Sequence, residues 1–183
     1  MITGSGRIFD LYNPTPEMID IEDIAGALAK QCRWNGNIPD FYSVAQHSCV
    51  VSWLAPTHLN FAALMHDAAE AYTGDIIRPL KKMLAHAFFE IEDRIEKTVW
   101  QKFNIAPELV EAVKEYDNQA LQIEYRAFYH NDMVAEDQIR HLSAVRLKHT
   151  PVFTCWDPES AKINFLYNYF QLTKKNKSNI YQP

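Results

Sequence analysis

Apolar residues recur along this chain at intervals of three and four almost from end to end, the spacing that places them on one face of an α-helix. In "DIEDIAGALAKQC", Ile21, Ile24, Ala25, Leu28 and Cys32 fall on one side, and Asp20 stands where an N-cap belongs. "RWNGNIPDF" breaks the period with Gly36 and Pro39 and reads as a loop. "YSVAQHSCVVSWLA" resumes it, with Ser43 as a cap. The pattern predicts the next helix over residues 58–72, ended by Gly74 in a left-handed turn. A charge-laced segment from Pro79 to Phe103, with Glu92 and Glu96 four apart, predicts a long helix. Ala106 and Pro107 open another that runs to Tyr129, with proline near the first turn where its missing N–H costs nothing. Residues 130–156 lose the period and predict loops and short helical turns. "WDPESAKINFLYNYFQL" restarts it with Asp157 as N-cap and Pro158 at the first helical position. The Lys- and Asn-rich tail, residues 173–183, is expected to fray. No segment alternates with period two, and the expectation is one all-α domain over residues 1–183.

Composition narrows the function classes. A hydrophobic content of 48% with 22% charged residues excludes a disordered chain. A net charge of -5 without a basic block argues against a nucleic-acid polymer as partner, because phosphate backbones are met by clustered Lys and Arg. No apolar run approaches the roughly 20 residues of a membrane helix, and Met1–Asp10 lacks the apolar core of a signal peptide, so no membrane association is expected. Cys32, Cys49 and Cys155 are widely spaced with no CxxC pair, which disfavours a disulfide framework or thiolate zinc site and points to a reducing cytoplasm. There is no GxGxxG or GxxxxGK[ST], so any phosphate must be held by side chains or a metal.

Candidate chemistry gathers in "LMHDAAEAYTGD", residues 64–75. Leu64, Ala68, Ala69 and Ala71 suit close packing, yet His66, Asp67, Glu70 and Asp75 sit among them. Unpartnered charge is expensive to bury, so such groups are paired or hold a metal. On a helix His66, Asp67 and Glu70 project near one sector. Imidazole nitrogen with carboxylate oxygen suits Zn, Mn, Fe, Co or Mg. Further ligands must come from elsewhere, and His47 in "SVAQHS" and Asp117 in "KEYDNQAL" are available. The bland alternative is that the histidines are hydrogen-bonded core residues.

Taken together, "CRWNGN", "FYSVAQHS", "LMHDAAEAYTGDIIRPLK" and "YDNQAL" make the chain resemble the HD-domain phosphohydrolase superfamily from about Gly4 to Leu172. The likeness is strongest to the small bacterial and phage branch of 5′-deoxynucleotidases and dATP triphosphohydrolases. The resemblance implies a helical bundle of the HD type and a divalent metal held by His47, His66, Asp67 and Asp117. It also implies hydrolysis of the 5′ phosphate ester of a small deoxynucleotide, in a bacterial cytoplasm or that of a phage host. A dNTP triphosphohydrolase with dATP-like preference is the first reading, a 5′-deoxynucleotidase acting on dNMPs the second, and a non-catalytic nucleotide-sensing module the third.

Within that frame Glu70 is the candidate general acid/base, against the alternative of a helix-surface carboxylate. Asp75 orients water or assists proton transfer, or simply caps the segment that follows. Arg33 and Lys81 are the expected phosphate partners, with Arg78 and Lys82 as helpers; lone surface charge is the alternative. Trp34 lies against a base or anchors the core, and Ile38 narrows the base pocket. "FLYNYF" packs inside or forms a homo-oligomer face.

Overall fold

Two short polar side chains start the fold where the sequence places them. Asp20 accepts a hydrogen bond from the Glu22 N–H at 2.9 Å, and Ser43 Oγ accepts one from Gln46 N–H at 3.1 Å. Each satisfies a backbone donor that a helix start leaves without a partner. They open α1 (Ile21–Leu28) and α2 (Val44–Leu54) in a computed structural model that describes residues 1–130 and 155–180. The side chains of Ala85, Ala87, His130 and residues 175–180 fall outside that description. The chain continues through α3 (Asn60–Leu64), α4 (Glu70–Thr73), α5 (Arg78–Phe103), α6 (Pro107–His130) and α7 (Pro158–Ile180). Asp157 caps α7 through bonds from the Glu159 and Ser160 N–H groups, both 2.9 Å. Among the described residues there are only isolated bridges, Ile2 with Ile8 and Cys32 with Ser43, so the fold is all-α.

α2 is the central element. Every residue from Val44 to Ser52 is buried, and the helix packs against α3, α6 and α7. A helix apolar or small on all sides belongs inside a bundle rather than on its surface. Around it, Ile24, Leu28, Val50, Leu64, Ile95 and Phe165 share one hydrophobic cluster. "FLYNYF" divides: Phe165 is buried, Leu166 and Tyr169 lean on the core, and Tyr167 and Phe170 are exposed. Among the described residues no helix is long and apolar enough to cross a membrane.

Three expectations need correction. The helix over residues 58–72 is broken: α3 stops at Leu64 and α4 starts at Glu70. Between them the ladder tightens to i→i−3 bonds, from Ala68 N–H to Met65 O and Glu70 N–H to Asp67 O. His66 Nδ1 also takes the Ala63 carbonyl at 2.8 Å, a side chain competing with the ladder at the break. Gly74 ends α4 at positive φ (85°), but with ψ 155° it is extended rather than left-handed helical, a region essentially restricted to glycine. The tail does not stop at Leu172; α7 stays helical to Ile180, since lysine is a good helix former and no Gly or Pro interrupts it. Of the irregular stretch expected over residues 130–156, 131–154 lie outside the described residues.

Candidate metal centre

His47 comes from the middle of α2, His66 and Asp67 from the break between α3 and α4, and Asp117 from α6. Ligand atoms of His47, His66 and Asp67 all lie within 4.8 Å of one another. His47 Nε2 is 3.6 Å from Asp67 Oδ2 and 3.2 Å from Asp117 Oδ1. His66 Nε2 is 3.1 Å and 3.9 Å from the same two oxygens. Donors held about 2.1 Å from one ion and 90–130° apart stand about 3.0–3.8 Å from each other, so these separations are those of a coordination shell. Both Nε2 atoms are buried and make no hydrogen bond. A buried polar atom without a partner needs an explanation, and a metal supplies one.

The ring tautomers agree with this. The Ala63 carbonyl can only accept, so His66 carries its hydrogen on Nδ1 and leaves the Nε2 lone pair facing the cluster. His47 Nδ1 lies 2.5 Å from Glu124 Oε1, deep in the core, with the same consequence for its Nε2. Glu124 also accepts from the Tyr42 hydroxyl at 2.9 Å and faces Arg33 Nε at 3.4 Å. A carboxylate behind a ligating imidazole fixes its orientation and raises its basicity. Burial disfavours a charged Glu124, but the His47 and Arg33 charges outweigh it and hold the carboxyl below its usual range. Burial and the Arg33 charge oppose a positive charge at His47, yet Glu124 and Asp117 prevail and lift the imidazole to about 9 when no ion is bound; a cation bound at Nε2 would take the place of that proton. Asp117 is drawn down to about 2 because His47 more than offsets its burial. Glu124 and Tyr42 were not singled out from sequence. The available signal was spacing, since Glu124 follows Asp117 by seven residues on the same face of α6.

A cavity of about 860 Å³ opens beside this cluster, lined in part by Asp67, Glu70, Asp75 and Asp117. Glu70 is buried, with Oε1 3.4 Å from Lys81 Nζ and Oε2 unpartnered. Burial, then the Asp67 and Asp75 charges, push its carboxyl well above the usual range. Asp75 also lines the cavity and is raised by burial. It does not cap α5, whose N-cap is Ile77 without a side-chain bond. Gln31, also unforeseen, bridges Glu70 and Asp75 by donating to the Glu70 carbonyl (2.9 Å) and accepting the Asp75 N–H (3.1 Å).

Arg33 and Trp34 both line the cavity. Arg33 Nη1 is 3.5 Å from Asp67 Oδ2, so its guanidinium sits between the cluster and Glu124. Trp34, Asn35 and Gly36 all have positive φ (59°, 51° and 72°), two of them non-glycine residues in a conformation that L side chains rarely adopt. Lys81 lines the cavity too, but its ammonium is 2.6 Å from Glu92 and 3.4 Å from Glu70, a paired cation rather than a free arm. Arg78 binds Asp117 Oδ2 at 3.1 Å. Ile38 is half-buried and is not among the lining residues; Ile76, Ile77 and Leu121 are the aliphatic wall instead. Lys82 is exposed and likewise does not line the cavity. Arg126 lines it and was not anticipated.

Fold and site thus define an all-α protein with a His–His–Asp group able to bind a metal ion. No protein-family model matches the chain. The uncharacterized protein YfdR of Escherichia coli (strain K12) is 40% identical over 124 residues, which cover 68% of this chain and 69% of that protein. The uncharacterized protein RCAP_rcc00048 of Rhodobacter capsulatus is 40% identical over 119 residues, 60% of this chain and 61% of the relative. The chain belongs to the family of YfdR.

Proposed function

We propose that this protein is a metal-dependent phosphohydrolase that cleaves the 5′ phosphate ester of deoxynucleotides. The observation that carries the reading is the pair of buried, unpartnered imidazole nitrogens facing two carboxylates at the side of a nucleotide-sized cavity. His47, His66, Asp67 and Asp117 would hold the ion, and two imidazoles in the set favour a first-row transition ion such as Zn, Co, Mn or Fe over Mg. Such an ion, when bound, supplies Lewis acidity toward a phosphate oxygen and a water molecule.

The chain's own groups do the rest. Arg33 offers a guanidinium fork to phosphate oxygens at the edge of the cluster. Asp75, facing the same cavity, orients the attacking water. As water's oxygen bonds to phosphorus and the bond to the 5′ oxygen breaks, the leaving oxygen needs a proton. Glu70, whose buried surroundings favour the protonated carboxyl, donates it and takes one back from water afterwards. Trp34 lies against the base.

With dATP as substrate the products are deoxyadenosine and tripolyphosphate, and this triphosphohydrolase is the favoured form. The 5′-deoxynucleotidase is retained because of one observation: Arg78 and Lys81, the cations expected to meet a longer phosphate chain, are already matched by carboxylates. Incubation of purified protein with dATP and with dAMP across several divalent ions, followed by product identification, tests the reading. Tripolyphosphate from dATP supports the first form and orthophosphate from dAMP alone the second. No hydrolysis of either with any ion would overturn both.

A further inference from the structure

α6 lays one stripe of side chains along the cavity, from Asp117 through Gln122 and Tyr125 to Arg126. Its two ends differ. At the N-terminal end, Asp117 belongs to the histidine cluster and receives the Arg78 guanidinium. At the C-terminal end, the Tyr125 ring lies 6.2 Å from that of Trp34 with the planes tilted by 33°. Tyr129 packs edge-on against the same indole at 5.4 Å, and its hydroxyl donates to the Asn37 carbonyl at 2.7 Å. That bond ties the left-handed Trp34–Gly36 turn to α6 and fixes the aromatic end. Asp117 and Tyr125 are eight residues apart, about 12 Å along the axis, comparable with the length of a nucleoside 5′-phosphate.

We propose that this aromatic end reads a purine: the base lies against Trp34 and Tyr125, while Gln122 and Arg126 take its edge. This rests on the phosphohydrolase reading and goes beyond it by naming the side chains that choose the base. Gln122 and Arg126 are four apart, hence neighbours on the helix face. Arginine only donates hydrogen bonds, whereas a carboxamide both donates and accepts. Guanine presents two acceptors side by side, O6 and N7, which a guanidinium fork matches; adenine presents N7 beside a donor amino group, which a carboxamide matches. Pyrimidines have no N7 and so lack both of these N7-edge pairs. Arg33, Arg78 and Lys81 each face carboxylates. Among the described residues Arg126 forms no ion pair, so it is the lining cation not already matched by a carboxylate.

The test is binding of dGMP, dAMP, dCMP and dTMP to the full chain, measured by calorimetry with metal chelated so that turnover plays no part. Arg126→Ala should weaken dGMP by roughly 5–150-fold and leave dAMP within a few-fold; Gln122→Ala should do the reverse. Arg126→Gln should move preference from dGMP toward dAMP, a gain that misfolding cannot produce. Equal weakening of all four ligands by Arg126→Ala would place Arg126 on the phosphate and overturn the inference. Base-selective changes in a protein that hydrolyses no nucleotide would uphold this inference while removing the hydrolase reading. Hydrolysis with unchanged base preference in all three variants would do the opposite.

Discussion

α2 and the first half of α5 both border the candidate site, and they are built in opposite ways. α2 buries every residue from Val44 to Ser52, and its one imidazole is gripped from behind by Glu124. α5 leaves Leu80, Met83, Leu84 and Phe89 exposed and meets the cavity through Arg78 and Lys81, each paired with carboxylates. A polar group inside a packed core is held in one orientation because any other leaves it unsatisfied. An exposed paired cation such as Arg78 can exchange its partner at little cost. The difference separates a rigid face suited to holding an ion from an adjustable face suited to admitting a charged ligand.

The most severe way to break this contrast is at the rigid face. Asp67→Ala should abolish binding of a divalent ion, read by elemental analysis, together with hydrolysis. The circular dichroism spectrum should stay helical, because the core around α2 does not depend on Asp67. An unchanged metal content would remove the proposed centre. Next is Glu70→Gln, which keeps shape but not the exchangeable proton. It should retain metal and lower kcat by about 10²–10⁴-fold. Turnover within a few-fold of wild type would shift proton transfer away from Glu70.

A finer cut tests whether the grip on His47 matters. Glu124→Gln leaves a hydrogen-bond acceptor in place but removes the charge behind the ring. Metal affinity should fall by about 10–100-fold, and competition with a chelator of known strength measures it. An unaltered affinity would make Glu124 a packing residue only. The smallest effect belongs to α5. Burial, aided by Glu92, raises Glu96 from its ordinary value to about 7. A carboxyl whose folded pKa is raised contributes stability that is complete below about 4.5 and is lost as pH climbs through about 7. Glu96→Gln stays neutral throughout. It should therefore match wild type in urea near pH 4 and exceed it by about 1–2 kcal/mol at pH 8, allowing for partial exposure. A pH-independent difference would show that Glu96 is not the titrating group.

Most of the helical architecture was legible in the sequence because capping and period-3.6 burial are local properties. Asp20, Ser43 and Asp157 announce their helices within a few residues. The break at Met65–Ala69 was not legible, since the apolar spacing there still fits a helix and the competing bond is made by the His66 ring. The convergence of His47, His66, Asp67 and Asp117 was anticipated through resemblance rather than from spacing alone. What escaped were the supports. Glu124, Tyr42 and Gln31 look like ordinary polar residues until the fold brings them across 82, 77 and 39 residues of chain to their partners. The pairing of Lys81 with Glu92 escaped for a different reason: both lie in α5, 11 residues apart, beyond the three- and four-residue spacings at which helix charges are expected to pair.

Those long-range supports also bear on the order of events as the chain folds. Contacts between residues far apart in sequence carry a loop-closure cost and tend to form late. α2 and the α3–α4 break can meet early, being close along the chain, and that brings His47 near His66 and Asp67. The imidazole of His47 is aimed only when α6 arrives with Glu124, and the same docking delivers Asp117. Ion capture should therefore lag behind the gain of helical signal in a refolding experiment and coincide with the burial of Tyr42, so that the metal acts as a clock for the final docking step.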